Sequence, residues 1–453
     1  GVRLVGSEMC IRDRMINMQN LNFYLVTDTH FFDPSFKRSG AAYEKRSISD
    51  QKCVAETPAI IDAGFKQIAD DKETNIILIP GDLVYRGEYQ SHVGLRNRLY
   101  KLKEQGKKIY LITARHDYDD NDSFEFDGDK MLPVKAMPRD ELRDFYKDFG
   151  FDGAISEHKE SMSYVAQLAD GIRLLALNCD GDCKDFKGLW DNQMKWALEQ
   201  IEDAHRTGNY IFAMTHYPLL PFSPIMNLIS DSHLTDWEKR ANQFADAGLD
   251  LIFTGHMHAQ AVTEYVTENG NKITDVQTGC FVGCPCAYRK VTIKDSTADI
   301  KSYTINDFDY DKQGKSASEY FQWRFDRMID YKMKEILPNP AIKILNKLTV
   351  KKICNFLWFN PDKSMQNILA KDLGIELVRN IFIGNEPYVK GTAVYEAFEK
   401  LINRLSLIIH IAEKKAGKKN KVLSDIKSFL LCTIGDEKQR DWDLTLDINR
   451  KSF

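Results

Sequence analysis

Two aspartates and five histidines of this chain have residue types and positions suited to holding metal ions. Each follows a short apolar stretch that is typical of a buried strand. In chain order the clusters are Asp28-Thr29-His30, Gly81-Asp82, His116-Asp117, Thr215-His216 and Gly255-His256-Met257-His258. The carboxyl ends of strands in an open α/β sheet gather at one edge, where sites form. Because the chain has only 10 histidines, half of them would meet at this edge.

The chemistry of these side chains is that of a binuclear metal centre. Neutral imidazole and carboxylate suit divalent ions such as Zn, Fe and Mn. A carboxylate can bridge two ions, and a pair about 3.5–4 Å apart activates a bridging water and clamps an in-line displacement at phosphorus. The alternation in His256-x-His258 directs the two rings apart, so that one loop can serve both ions. The clusters therefore predict a phosphoryl-transfer site.

Strands and helices alternate in the segments that must position these side chains. Continuous apolar runs predict strands at 22–28, 75–79, 108–114, 163–168, 172–177, 210–214 and from 249 onward. Helical spacing of apolar residues predicts helices at 52–70, 92–105, 192–205 and 236–247. This alternation indicates an α/β fold with strands buried on both faces. After Asp311 the spacing of apolar residues predicts helices at 316–337, 341–359, 363–382, 388–413 and 420–434.

The order of the clusters resembles that of the calcineurin-like metallophosphoesterase superfamily, over roughly residues 20 to 305. The chain looks most like the bacterial, cyclic-nucleotide phosphodiesterase-like branch. The resemblance implies a four-layer αββα sandwich of two mixed sheets. It also implies two divalent metal ions, with the first bound by Asp28, His30, Asp82 and His258. Asp82 would bridge to the second ion, which His216, His256 and an asparagine would share.

The third motif contains both the implied catalytic residue and the one departure from the family pattern. His116 would act as general acid or transition-state stabiliser, with Asp117 holding its ring. The family has asparagine before this histidine, whereas the chain has Arg115. Guanidinium has no acceptor atom and stays charged, so Arg115 cannot be a metal ligand. Either the second ion binds more weakly, or Arg115 turns outward and binds a phosphate oxygen of the substrate, or another group completes the site.

Length and the order of motifs divide the chain into three parts. A chain of 453 residues is too long for one small core. We expect a non-native or disordered extension at 1–19, with Met15 or Met18 as the true start. A calcineurin-like metallophosphoesterase domain would follow at 20–310, and a helical C-terminal domain at 311–453.

Composition excludes several classes of protein. A hydrophobic share of 43% and a charged share of 28% fit a soluble globular chain. The net charge of -4 predicts no general attraction to nucleic acid or anionic membranes. No run of 18 apolar residues predicts a membrane span, and no secretory leader is evident. Nine scattered cysteines argue against a disulfide framework, and we expect a cytoplasmic protein.

The expected activity is metal-dependent hydrolysis of a small-molecule or nucleotide phosphoester by in-line attack of a metal-bound hydroxide. Resemblance to the phosphodiesterase-like branch favours a diester. One alternative is a phosphomonoesterase or protein phosphatase. Another is a degenerate, non-catalytic scaffold, which Arg115 supports and the retained aspartates and histidines oppose.

Other side chains have competing interpretations. Glu88 and His92 either start a helix or line the site, whereas Asn178 is better explained by a turn. The spacing of Cys280, Cys284 and Cys286 is unlike that of paired zinc ligands, so we expect free buried thiols there.

Overall fold

The computed structural model of the chain describes residues 20–118, 122–179, 188–223, 226–227, 231–336, 339–384, 391–392, 395–397, 399–404, 406–407 and 440–448. The extension expected at 1–19 lies outside the described residues, as do the helix predicted at 420–434 and half of the one predicted at 388–413.

The first sheet is built on apolar strands that are buried on both faces. Its order is β15-β14-β13-β1-β2-β3. The strands are β1 (Leu21–Leu25), β2 (Ile76–Pro80), β3 (Lys108–Ile112), β13 (Ala287–Lys294), β14 (Thr297–Thr304) and β15 (Leu444–Asp447). β1, β2 and β3 are parallel, with Phe23 opposite Ile76 and Ile77 opposite Ile109. β13, β14 and β15 add in antiparallel fashion, so the sheet is mixed.

The second sheet contains seven strands in the order β11-β12-β10-β9-β8-β7-β6. They are β6 (Ser156–His158), β7 (Ser163–Ala169), β8 (Ile172–Leu177), β9 (Tyr210–Thr215), β10 (Leu251–Thr254), β11 (Ala261–Val266) and β12 (Lys272–Gln277). The four strands β8, β9, β10 and β12 are parallel, and the outer strands pair antiparallel. A separate hairpin is formed by β4 (Phe124–Asp127) and β5 (Lys130–Pro133).

Helices flank the two sheets and continue into the C-terminal region. They are α1 (Ala41–Ser49), α2 (Thr57–Asp70), α3 (Tyr89–Glu104), α4 (Arg139–Phe145), α5 (Asp191–Arg206), α6 (Trp237–Asp246), α7 (Ala317–Ile336), α8 (Asn339–Leu345), α9 (Val350–Phe356) and α10 (Ala370–Ile383). α2 and α3 pack on the first sheet, and α5 and α6 on the second. The predicted αββα sandwich of two mixed sheets is therefore confirmed. No described helix has the length and apolar character needed to cross a membrane.

Aromatic side chains join the inner faces of the two sheets. The ring of Phe23 on β1 stacks on Phe212 of β9 with 5.3 Å between centroids, and meets Phe253 of β10 edge-on at 5.5 Å. All three are fully buried. Such pairs add about 0.5–1.5 kcal/mol beyond the area that they bury. This packing fixes the end of β1 beside the ends of β9 and β10.

Two elements differ from the sequence prediction in ways that affect the site. The helix predicted at 52–70 begins at Thr57, because Pro58 occupies its first turn, where proline is favoured. Lys52 instead lies in an extended segment that bridges to Gly283. The C-terminal region, predicted as helical, also contributes β15 to the edge of the first sheet.

A buried ion pair attaches the first C-terminal helix to the sandwich. Arg324 of α7 places its Nε 3.2 Å from the Glu56 carboxylate, and Tyr320 donates to the same carboxylate at 2.5 Å. Glu56 and Arg324 are both buried. A buried ion pair adds little net stability, but removing one partner leaves an uncompensated buried charge.

We therefore expect Arg324→Met to lower the free energy of unfolding by about 3–5 kcal/mol, measured by urea denaturation. The matched control is Lys66→Met, which breaks an exposed pair with Asp70 on α2 at 2.6 Å. This control should leave stability almost unchanged, since exposed pairs contribute little. Equal small effects of the two substitutions would contradict the role given to Arg324.

Candidate metal centre

The candidate ligands lie where strand ends of the two sheets meet. Asp28 and His30 follow β1, and Asp82 follows β2, all in the first sheet. His216 follows β9 of the second sheet, and its Nδ1 donates to the carbonyl of Pro80 at 3.0 Å. This hydrogen bond ties the end of β9 directly to the end of β2. The metal-ligand residues predicted from separate parts of the sequence are thus brought together.

Five of the ligand residues have left-handed backbone conformations. Their φ angles are 54° for Asp28, 36° for His30, 51° for Asp82, 69° for His256 and 58° for His258. Aspartate and histidine tolerate this region better than most residues, yet each such residue costs on the order of 1–3 kcal/mol. Conformations of this kind persist only where the surrounding structure enforces them. Their concentration here indicates that the strand ends are shaped to aim these side chains.

Glycines next to the ligands allow the close packing of the site. A Cβ added at Gly255 would lie 2.5 Å from Oδ2 of Asp28. Gly81 has a φ of 91°, and a Cβ there would lie 2.8 Å from the Cβ of Ala114 and 3.1 Å from Nδ1 of His216. A larger residue at either position would push a ligand loop away.

The first group of donors surrounds His30. Its Nε2 lies 3.1 Å from Nε2 of His258, 3.5 Å from Oδ2 of Asp82 and 3.7 Å from Oδ1 of Asp28. Nε2 of His258 lies 3.4 Å from the same oxygen of Asp28. Two ring nitrogens this close repel unless a proton or a metal ion lies between them. The group therefore has the composition and spacing of a metal site.

The second group shares Asp82 with the first. Oδ2 of Asp82 lies 3.2 Å from Nε2 of His216, and His256 adds a donor atom within 4.8 Å of both residues. The same carboxylate oxygen thus faces His30 on one side and His216 on the other. This is the arrangement that a bridging carboxylate requires.

Hydrogen bonds on the outer side of three rings fix their orientation. Besides the bond from His216 to Pro80, His256 Nε2 donates to the carbonyl of Asp231 at 2.5 Å, and His258 Nδ1 donates to Oε1 of Gln51 at 3.2 Å. Each bond places the proton on the outward nitrogen and leaves a lone pair on the inward one. Metal-binding histidines are held in this way in known sites.

The two buried carboxylates are negatively charged. Burial opposes ionisation of Asp28, but the adjacent rings of His258 and His30 hold its pKa well below the ordinary value. Burial likewise opposes ionisation of Asp82, whose pKa is held well below the ordinary value by His216 and His116. Two anions beside inward-facing imidazole nitrogens match the ligand preferences of divalent ions such as Zn, Mn and Fe. The residues present therefore fit the implied metal ions.

Cys280 is a further donor beside the first group. Its Sγ lies within 4.8 Å of donor atoms of His30 and His258, and it donates to the carbonyl of Asp28 at 3.2 Å. The six described cysteines are free thiols, as the sequence predicts for Cys280, Cys284 and Cys286. The sequence prediction did not place Cys280 beside the metal ligands. Cys280 follows the end of β12, and this position after a strand was the feature of the sequence that could have indicated it as a ligand.

His116 lies at the edge of the donor groups, and Asp117 is used differently from the prediction. The His116 ring is 5.2 Å from that of His30, and the backbone N–H of His116 donates to Oδ1 of Asp82 at 3.3 Å.

Asp117, expected to hold the His116 ring, accepts backbone N–H groups of Leu83 at 2.7 Å, Val84 at 3.0 Å and Ala114 at 2.8 Å. In the 3₁₀ helix Arg115–Asp117 its carboxylate turns back on Ala114, away from the neighbouring ring. Asp117 therefore fastens the loop that carries Asp82.

Arg115 points to the rim of the site. Its Nη1 lies 3.8 Å from Oδ2 of Asp231, and its side chain is about one-third exposed. Asp231 is also the residue whose carbonyl accepts the hydrogen bond from His256. The guanidinium thus lies beside the second group of donors, on the loop that orients one of its ligands.

The remaining sequence candidates have structural roles. Nε2 of His92 donates to the carbonyl of Asp117 at 2.7 Å, and Tyr146 donates to its Nδ1 at 2.8 Å. Glu88 is buried and accepts the backbone N–H of Arg86 at 3.1 Å. Asn178 donates to the hydroxyl of Thr113 at 2.8 Å. His92 therefore supports the third motif from below, and it does not line the site.

Asp275 connects two ligand loops and was not found from the sequence. Its carboxylate accepts the N–H groups of Leu219 at 2.7 Å and Leu220 at 3.0 Å, just after His216. It also accepts the Thr254 hydroxyl at 2.6 Å, just before His256. Asp275 lies in the middle of a buried strand, where no turn or strand-end signal marks it.

Comparison with known proteins agrees with the motif order. A family model described as calcineurin-like phosphoesterase matches residues 21–260, which contain every candidate metal ligand. No curated protein matches the chain.

Solved structures with similar folds have low identity to this chain. One is a dimetal phosphatase from Danio rerio, with 10% identity and a TM-score of 0.46, covering 64% of this chain and 97% of that chain. Another is a purple acid phosphatase from yellow lupin (Lupinus luteus) seeds, with 13% identity and a TM-score of 0.45, covering 64% of this chain and 52% of that chain. The NAD nucleotidase of Haemophilus influenzae has 13% identity and a TM-score of 0.33, covering 73% of this chain and 60% of that chain.

Burial of Asp275 predicts a pH dependence of stability. Burial raises the pKa of this carboxyl from 3.8 to about 6. The folded chain therefore holds the proton more tightly than the unfolded chain, so the proton stabilises the fold at low pH. This contribution is lost as the pH rises from about 4 to about 6. In chelator-treated protein, the unfolding free energy of wild type relative to Asp275→Asn should fall by up to about 3 kcal/mol across this range. A difference that stays constant with pH would contradict this prediction.

Proposed function

Because the chain belongs to the calcineurin-like phosphoesterase family, we propose that it hydrolyses a phosphoester at a binuclear metal centre formed by its strand ends. Asp28, His30, Asp82 and His258 are assigned to the first ion. Asp82, His216 and His256 are assigned to the second. One observation carries the proposal: donor atoms from four strand ends lie within 4.8 Å of one another in two groups that share Asp82.

Each part of the site has a distinct task in this reaction. When bound, the two ions would supply an activated water and neutralise charge on the phosphate oxygens. The chain itself holds the ligand rings in one orientation through Pro80, Asp231 and Gln51. His116 faces the same space from the third motif, and we assign it to the leaving group, as general acid or as transition-state stabiliser.

Resemblance to the phosphodiesterase-like branch favours a diester substrate, and a monoester is the second candidate. The non-catalytic scaffold is disfavoured by the outer hydrogen bonds of His216, His256 and His258. A scaffold would gain nothing from keeping three ring lone pairs directed at the two groups of donor atoms. The free thiols agree with the predicted cytoplasmic location.

Elemental analysis with a paired assay tests the proposal. We expect about two divalent ions per chain, and hydrolysis of an aryl phosphate monoester, a diester or both with added Mn. His116→Ala should lower kcat by a factor of about 10²–10⁴ with unchanged metal content, since a positioned acid contributes this much. The control is His158→Ala, which removes a ring that bonds to Ser161 at 2.9 Å and packs on Trp190 and Trp196, none of which is in the ligand set. Protein without bound metal and without hydrolysis would establish the scaffold.

Arg115 is assigned to substrate binding at the rim. Guanidinium cannot ligate metal, so Arg115→Ala should leave metal content unchanged. The same variant should raise KM about tenfold, which is the smaller end of the range for a hydrogen bond to a charged group. Arg115→Asn restores a neutral ligand type at this position. If Arg115→Ala leaves KM unchanged while Arg115→Asn raises both metal occupancy and rate, the arginine is a defect in the second site and not a substrate contact.

A further inference from the structure

Lys52 is a buried cation beside the third motif. Its side chain is only 6% exposed. Its Nζ lies 3.4 Å from Nε2 of His116 and 5.5 Å from the centre of the Tyr85 ring.

The backbone around Lys52 is held firmly in place. Lys52 bridges to Gly283 in an isolated antiparallel pair, and its N–H donates to Oδ1 of Asp50 at 3.1 Å. The backbone N–H of the next residue, Cys53, donates to the carbonyl of Val282 at 2.8 Å. The neighbouring Gln51 accepts the hydrogen bond of His258. The segment that orients one metal ligand therefore also carries the ammonium.

The ammonium makes no direct contact with a carboxylate in the part of the chain that the structure describes. No carboxylate oxygen there comes within 4.0 Å of Lys52 Nζ. The charge of Lys52 helps to lower the pKa of the nearby Asp50, but that carboxylate bonds instead to the Tyr85 hydroxyl at 2.8 Å and to the backbone N–H of Lys52. Buried charges are normally paired, because an isolated one costs several kcal/mol. An anion that arrives at this place would supply the missing partner.

Lys107 shows what a buried lysine with a purely structural role looks like in this chain. It is 3% exposed, and its ammonium donates to the carbonyls of Asp71 and Thr74, the latter at 2.6 Å. The Lys107 ammonium thus donates its hydrogen bonds to backbone carbonyls, far from the metal centre. Among the described residues, the Lys52 ammonium has instead a single hydrogen-bond contact, with a ring nitrogen of His116, the assigned leaving-group residue.

We propose that Lys52 binds a nonbridging oxygen of the substrate phosphate, on the His116 side of the metal centre. The proposal rests on the proposed function, since it takes the phosphoester as the missing anion. An ammonium is a common phosphate-binding group and acts as a point charge without demanding a fixed geometry. A monoester dianion gains more from this charge than a diester monoanion, because the attraction scales with the charge.

Binding of inorganic phosphate to the Mn-loaded protein tests the proposal directly. Lys52→Met should weaken phosphate binding by a factor of about 10–100, which is the worth of one hydrogen bond between charged groups. Lys52→Arg keeps the charge and should lose much less. Isothermal titration measures both, and elemental analysis and thermal unfolding show whether each variant keeps its metal and its fold.

Lys107→Met is the matched control for removal of a buried ammonium. It should leave phosphate affinity unchanged even if it lowers stability. In Lys52→Met, KM for an aryl phosphate monoester should rise by a larger factor than KM for the diester. Unchanged phosphate affinity, or equal losses in Lys52→Arg and Lys52→Met, would overturn the proposal.

The role of Lys52 and the proposed function are tested by different measurements, so that one can fail without the other. Wild-type metal content and hydrolysis test the function, whereas phosphate affinity of the variants tests Lys52. A protein that binds metal and phosphate but hydrolyses neither ester would contradict the proposed function. The phosphate affinities of the Lys52 variants would still test the role of Lys52. Loss of metal in Lys52→Met with normal folding would show that Lys52 acts on the ligands and would also overturn the proposal.

Discussion

One buried carboxylate, Asp82, joins the two groups of candidate metal ligands. One of its oxygens faces His30 and His216 at 3.5 and 3.2 Å, and the other accepts the backbone N–H of His116 at 3.3 Å. These three residues come from three strand ends in two sheets. The carboxylate can occupy this position only while the sheets are held face to face, which the packing of Phe23 against the second sheet ensures. The site is therefore a consequence of how the sandwich closes.

Further carboxylates keep the ligand loops in place without touching the donor groups. Asp117 binds the backbone just after Asp82, and Asp275 binds the backbone just after His216 and the hydroxyl of Thr254 before His256. Anchors of this kind offset the cost of the left-handed conformations, because each loop has few alternative positions. Because the Asp117 carboxylate is bonded to these backbone N–H groups, it is not available to orient the ring of His116.

Cations complete the charge distribution around the site. Lys52 is buried on the side of His116, while Arg115 lies on the rim and faces Asp231. The buried charge is fixed by the backbone around it, and the rim charge is shared with a neighbour and with solvent. A phosphate that enters between them would meet positive charge from two directions. Arg115, the one departure from the family motif, therefore lies where it could contact such a phosphate. Its position in the sequence alone could not show this.

The sequence by itself determined the fold class, the strand ends and the residues that meet there. These follow from local patterns, since apolar runs form buried strands and the carboxyl ends of parallel strands gather at one edge. Tertiary structure alone decided the contacts of Lys52 and Asp275, the partner of Arg115 and the addition of β15 to the first sheet. Lys52 and His116 are 64 residues apart, and Asp275 and Leu219 are 56 apart. No local pattern encodes such pairs, because they exist only once distant segments pack on a common core.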